Sequence, residues 1–273
     1  MARTTSLNIL LSTTGNDLLA EKYGPVIENV MKNPISQQLK NNAPMGDADA
    51  GSFEFKRFEN VNSNAYGTAR AGGAGQAVKV TPVTVNINQD REIIREVEQK
   101  DASMYGVENL VEREAASAQR TMTRELEKAF FAEAVTAGTA VTPTGTTADE
   151  IAEELIQSVE TVSNNFVDGV ERDMIALVLA PAEYGKLRTY FDKVEDGGAH
   201  GEAIATFHGV RVYSSVYLPA GTKGVCMAEG AIAQPVKPAL YAPKQVELSE
   251  AIAFGVFFHY GTKALAADLI FKY

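Results

Sequence analysis

An α+β architecture is what the sequence predicts: a long hairpin and a long helix first, then a mixed compact module. Apolar and polar residues alternate through 52–61 and 77–88, as in half-buried strands. One apolar stripe of helical period runs through 107–136, and short apolar runs separated by turn residues fill the chain after residue 174. The 273 residues suffice for one large domain or two smaller ones. No apolar run reaches the roughly 18 residues that a membrane span needs, so no membrane partner is expected.

Residues 1–50 are expected to be a polar arm. Leu18, Leu19, Val26, Ile27, Val30 and Met31 form short helical patches, which Gly24-Pro25 and Pro34 should break. Asn33, Asn41 and Asn42, with Pro34 and Pro44, then read as irregular chain. The apolar surface is too small for a separate core, so the arm should lie along something else. Only Arg3 precedes the short apolar run Ile9–Leu11, which is no secretory signal, and folding in a cytoplasm is expected.

Residues 51–89 form the expected hairpin. Phe53 and Phe55 alternate in its first strand, and Val78, Val80, Val83, Val85 and Ile87 mark the second. The phase slips at Thr81-Pro82, which predicts an edge strand with a bulge. Between the strands, Gly67, Gly72, Gly73 and Gly75 fall in a stretch with no core-forming run, the composition of a flexible tip. A lone hairpin is marginal in water. One this long makes sense lying over a neighbouring molecule, with Phe53, Phe55, Tyr66 and Arg70 among the expected subunit contacts. Residues 91–101 hold only Ile93, Ile94 and Val97 as anchors, and their state stays open.

Residues 90–138 are centred on the long helix. Val107, Val111, Ala115, Ala118, Met122, Leu126 and Ala129 recur at spacings of three and four, making one stripe. Asp101 or Ser103 is expected to cap its start and Gly138 to end it. About 30 helical residues span roughly 45 Å, and a narrow stripe implies packing across a sheet on one side only. Arg113, Arg120 and Arg124 share the opposite face. Glu127 and Asn109 lie near it, so the face reads as mixed, and gripping phosphate would need more positive charge. Pairing of the arginines with carboxylates across a subunit interface is expected, against a plain solvated face.

In residues 139–273, a linker (139–146) leads to Thr147-Ala148-Asp149-Glu150, a capping-box pattern before a helix carrying Ile151, Leu155, Val159 and Val162. Residues 174–180 read as a buried strand, and Pro181 opens a short helix through Tyr190. The glycine-rich stretch 192–203 reads as an exposed loop, and the rest as strands with turns at Pro219-Ala220-Gly221 and Gly261-Thr262.

A search for chemistry finds no catalytic, cofactor-binding or metal-ligating constellation. Cys226 is the only cysteine, so no intrachain disulfide can form. His200, expected in a loop, and His208 and His259, expected in strands, form no helical ligand pair. Ser214-Ser215 lacks the frame of a nucleophile elbow, Gly72-Gly73-Ala74-Gly75 precedes a strand instead of a helix, and 255–263 lacks a phosphate-loop ending. Asp149, Glu150, Glu153 and Glu154 read as the dipole-favoured start of a helix ahead of a cation site. The net charge of −10 opposes sequence-specific DNA binding, yet an acidic wall suits a shell that contains DNA without gripping it.

Several segments, in chain order, resemble the major capsid proteins of tailed bacteriophages, which share the Hong Kong 97-like fold. LVLAPAEYGKLRTY (177–190) is similar to the family's strand, proline and short helix. FHGVRVYSSVYLPAGTKGVCMAEGAIA (207–233) and the ending FHYGTKALAADLIFKY (258–273) are similar to its later strands and closing turn. The hairpin followed by a long helix resembles its extended loop and spine helix. The resemblance implies an N-terminal arm (1–50), an extended loop (51–89), a P-domain spine region (90–138), and an A domain (139–273) whose closing strands lie partly in the P domain. It implies a non-enzymatic subunit that assembles with itself, as hexamers and pentamers, into a virion head around double-stranded DNA contacted non-specifically. Assembly is expected in the host cytoplasm, with a portal as partner and a decoration protein as a candidate one. No long charged helical segment precedes residue 50, which implies a separate scaffolding protein. Lys56 and Lys79 lie on the hairpin, but nothing singles out a crosslink. The alternatives are an encapsulin-like compartment around protein cargo, an enzyme with a dispersed site, and a tail or fibre protein.

Overall fold

The computed structural model describes residues 6–43, 51–61, 63, 77–194 and 206–273. In chain order the helices are α1 (Thr13–Lys32), α2 (Ile35–Leu39), α3 (Gln99–Tyr105), α4 (Val107–Ala137), α5 (Ala148–Glu160) and α6 (Pro181–Val194). The strands are β1 (Ser52–Phe58), β2 (Val80–Asn86), β3 (Gln89–Val97), β4 (Thr139–Ala140), β5 (Ile175–Leu179), β6 (Thr206–Phe207), β7 (Val210–Ser214), β8 (Gly224–Ala228), β9 (Ile232–Ala233), β10 (Val236–Gln245), β11 (Ile252–Tyr260), β12 (Lys263–Ala264) and β13 (Ile270–Lys272). The chain divides into two compact units: residues 1–38, 87–129 and 234–262, and residues 39–86, 130–233 and 263–273.

The first unit is built on an antiparallel sheet of order β10-β11-β3. Its central strand supplies Ile252, Phe254, Val256, Phe258 and Tyr260 to the core. The stripe of α4 packs into the same core: Val107, Val111, Ala115, Ala118, Met122 and Leu126 are all buried. Gly255 lets β3 approach, since a Cβ there would sit 1.9 Å from the Ile93 carbonyl oxygen. The stretch left open in the sequence is β3, followed by α3.

Two local expectations fail in this unit. Gly24-Pro25 does not break the N-terminal helix; α1 runs through Pro25. An internal proline costs about 3 kcal/mol, but α1 buries Leu19, Tyr23, Val26 and Val30, each worth about 1.5–3 kcal/mol. Tertiary burial outweighs the local penalty, so residues 6–38 pack within the chain's own first unit. Nor do Asp101 and Ser103 cap α4: both lie inside α3, which ends at Gly106 with φ 82°.

The second unit holds a six-stranded mixed sheet of order β4-β13-β8-β5-β7-β6. All five residues of β5 and all five of β8 are buried, as expected where a strand is covered on both faces. Helix α5 packs on β5, β8 and β13, and α6 on β5 and β7. The expected capping box is formed: Thr147 and Glu150 satisfy each other's backbone N–H groups at the start of α5. Helix α6 begins at Pro181 and runs to Val194, past the expected end at Tyr190; 195–203 lie outside the described residues. His208 is not in a strand. It occupies the two-residue turn joining β6 to β7, where His208 and Gly209 have φ 47° and 89°, the signature of a type I′ hairpin.

The hairpin β1–β2 is also part of the second unit, and it has no bulge. Its register is unbroken from Ser52↔Asn86 to Phe58↔Val80. The slip at Thr81-Pro82 has another cause: the apolar residues change face. Phe53 and Phe55 pair with Val85 and Val83 on one face, and Phe58 pairs with Val80 on the other. Proline is tolerated because β2 pairs with β1 alone. The expected glycine-rich tip, 64–76, lies outside the described residues.

Candidate functional site

Among the described residues, the polar groups singled out for chemistry are taken up by neighbours. Glu153 Oε1 accepts a hydrogen bond from Arg172 Nη2 at 2.6 Å, and its Oε2 lies 2.9 Å from His208 Nδ1. The Arg172 guanidinium holds the Glu153 carboxyl well below the ordinary range, at about 2. Arg172 also donates to Glu160 at 2.9 Å. Glu150 serves the capping box, and Glu154 accepts from the backbone N–H groups of Thr144 and Gly145 at 2.7 and 2.9 Å. Asp149 is held low chiefly by the Thr147 hydroxyl. The acidic cluster is thus the cap and anchor of α5.

His259 Nδ1 lies 2.7 Å from Asp90 Oδ1 on the neighbouring strand, and His200 lies outside the described residues. Cys226 is fully buried in β8, where burial pushes its thiol pKa up and away from reactivity. Among the described residues, no group of three or more His, Cys, Asp or Glu is placed to hold a metal ion. No described helix is long and apolar enough to cross a membrane.

What remains is surface. On the hairpin, Phe55 is buried and Phe53 half-buried, packed with Val85, Ala233 and Leu265. Tyr66 and Arg70 lie outside the described residues. The apolar groups that face outward are Phe58 (50% exposed) and its partner Val80 (37%), with Val61 and Val78 beyond them. Sequence reasoning missed this pair because only Phe53 and Phe55 were read from β1 and Phe58 was not. Position parity along β1 is the signal that would have found it.

The hairpin is clamped near its loop-side end. Arg57 donates to both carboxylate oxygens of Asp268 at 2.6 and 2.7 Å, and its guanidinium lies 4.3 Å from the centre of the Phe166 ring. Asn164 donates to the same carboxylate. Lys263 adds a bond from its ammonium to the Thr84 carbonyl at 3.0 Å.

Along α4, Arg113, Arg120 and Arg124 are exposed, as the stripe geometry required. Among the described residues, none of the three forms an ion pair. Glu127 departs from expectation. It is 4% exposed, and its Oε1 accepts from the Ile35 N–H at 2.6 Å, capping α2 instead of sharing the arginine face. Asn109 donates to the Tyr105 carbonyl at 3.0 Å.

No family model and no curated protein matches the sequence. Solved structures do match. The capsid of the cyanophage P-SCSP1u is 16% identical over 88% of this chain and 88% of that chain, with a TM-score of 0.61. The mature capsid of bacteriophage PhiM1 is 14% identical over 89% of this chain and 87% of that one, with a TM-score of 0.57. A virus-like particle from Pyrococcus furiosus is 12% identical over 92% and 97%, with a TM-score of 0.58. The chain therefore has the fold found in the shells of these particles.

Proposed function

We propose that this chain is a non-enzymatic structural subunit of a phage head, assembling as hexamers and pentamers into a closed shell around double-stranded DNA. The observation that carries the reading is the extent of the likeness: it covers nearly the whole of both chains, so the shared feature is an entire shell subunit and not one motif. The sequence resemblance to Hong Kong 97-like capsid proteins, from segments in the same order, supports the finer assignment. In it residues 1–50 serve as the N-terminal arm, 51–89 as the extended loop, 90–138 as the spine region of the P domain, and 139–273 as the A domain, with closing strands partly in the P domain. The outward pair Phe58–Val80 is the hairpin surface offered to a neighbouring copy. A portal, a separate scaffolding protein and a decoration protein belong to the same reading, as does assembly in the host cytoplasm.

The likeness to the Pyrococcus particle favours a second reading, a protein compartment with other contents. Light scattering and negative-stain electron microscopy of the purified protein test the first. Capsomers or closed polyhedral shells are the expected result, and a stable monomer at high concentration overturns both readings. Nucleic acid in the particles separates head from compartment.

A further inference from the structure

We infer that the outward face of α4 is a cationic strip that binds the phosphates of enclosed nucleic acid. The inference rests on the shell reading for what is enclosed, and on the burial of Glu127 for the chemistry. At 100° per residue, Arg113, Arg120, Arg124 and Lys128 fall within a sector of about 80°. All four are exposed. No α4 carboxylate falls inside that sector; the nearest, Glu127, lies about 20° beyond its edge and is withdrawn from the surface to cap α2. Glu114, on the flank, is paired with Arg95 at 2.8 Å. The face that reads as mixed in the sequence is therefore positive along its length in the folded chain.

Its length and texture also suit a polyanion. Residues 113 to 128 span about 22 Å of helix, close to the length of about six nucleotides along one strand of a duplex. Between the cations lie Ala116 and Ser117, with Asn109 toward one end. No large apolar side chain stands on the strip to anchor a protein partner, and protein interfaces depend on such anchors. Row-like positive charge with no apolar centre is the pattern of backbone contact without sequence reading. It coexists with a net charge of −10 because it is local, so contact is made only with a polymer held at the wall.

The test has two arms. Purified subunits are titrated with a duplex of about 20 base pairs between about 20 and 200 mM salt. The wild type is compared with a variant carrying Arg113→Gln, Arg120→Gln, Arg124→Gln and Lys128→Gln. The wild type should show a log–log slope of about −3 to −4 and the variant a slope near zero. Shell yield, counted by negative-stain microscopy, should be the same for both. Equal slopes overturn the inference. A variant with unchanged circular dichroism that no longer closes into shells also overturns it, and assigns the strip to carboxylates of a second copy. If the wild type itself forms no shells, the shell reading falls, while the duplex titration still decides whether the strip binds phosphate.

Discussion

Two β-structures in the second unit, the central strands of the six-stranded sheet and the hairpin β1–β2, differ in how far each is completed within the chain. Strand β5 has β7 and β8 as neighbours, and all five of its residues are buried. Strand β2 has β1 alone, and its burial is confined to one face near Val85. Both strands are rich in β-branched or leucine side chains, but β5 has no polar residue and β2 carries Thr81, Thr84 and Asn86. Pattern separates them further. IALVL is continuous, which only a strand covered on both faces can satisfy. The valines of β2 alternate and then change face, so one end packs inward while Phe58 and Val80 point outward. The subunit's own packing uses this half-exposed pair only in part, and that is why the proposed contact with a second copy is placed there.

The contrast can be broken hardest at the centre of the sheet. Leu177→Ala removes a fully buried side chain from β5. Large-to-small changes in such sites cost about 2–5 kcal/mol, which corresponds to a fall in Tm of roughly 5–15 °C in a chain of this size. Differential scanning calorimetry checks it; a shift under 2 °C would mean that the sheet's centre is no better packed than the hairpin.

The clamp near the hairpin's loop-side end comes next. Arg57→Ala removes a bidentate pair that is only partly exposed, with 21% and 32% of the two side chains accessible. Hydrogen bonds to charged groups of this kind contribute about 1.5–3 kcal/mol. The loss should be local. Amide exchange in β1 and β2 should speed up by one to two orders of magnitude, on the order of what such an energy implies, while β5 and β8 stay protected. Uniform loss of protection would show that hairpin and sheet unfold together.

These residues also show where sequence reasoning succeeded. The α4 stripe was legible because burial there follows the 3.6-residue period, and every stripe position from Val107 to Leu126 is buried. The cap at Thr147 and Glu150 and the helix start at Pro181 were legible because both are local. What was not legible depends on distant partners. Pro25 sits inside α1 because the core rewards continuity. Glu127 is hidden by a backbone N–H 92 residues earlier, and Arg57 is held by a carboxylate 211 residues later. The phase slip at Thr81-Pro82 was visible, but a bulge and a change of face leave the same mark in a sequence. Of the expected contact residues, the three arginines stand on the surface, whereas Phe55 serves the subunit's own packing.

A smaller effect is expected at the β6–β7 edge of the sheet, where the turn residue His208 and Arg172 meet Glu153 on α5. The Glu153 carboxyl has an ordinary value of 4.5 and sits at about 2 in the fold. A depressed carboxylate contributes stability that is fully present above its unfolded value and is lost as pH falls through the folded one. The network should therefore weaken between about pH 4.5 and 2. Because the site is near the surface, its worth is discounted to about 1 kcal/mol. Glu153→Gln should lower stability at pH 7 by about that amount and flatten the pH dependence in the same window, as chemical denaturation at pH 7, 4 and 3 would show. An unchanged acid limb in the variant would place the titration elsewhere.

The smallest effect on the subunit should come from the residues that the comparison marks as unfinished. Phe58→Ser with Val80→Ser changes an outward pair on a strand whose inner face is untouched. Exposed substitutions of this kind usually stay within about 0.5 kcal/mol, so Tm and the denaturation midpoint should match those of the wild type. Assembly should not. Each copy would present one hairpin to a neighbour, and removing two apolar side chains from that contact forfeits about 1.5–3 kcal/mol apiece if both become buried there. Light scattering at matched concentration should show fewer and smaller particles from a subunit that is equally stable. If assembly persists at the wild-type concentration, the Phe58–Val80 face is not where copies meet. If the variant unfolds instead, the pair belongs to the subunit's own core, and the distinction between completed and uncompleted strands fails at this point.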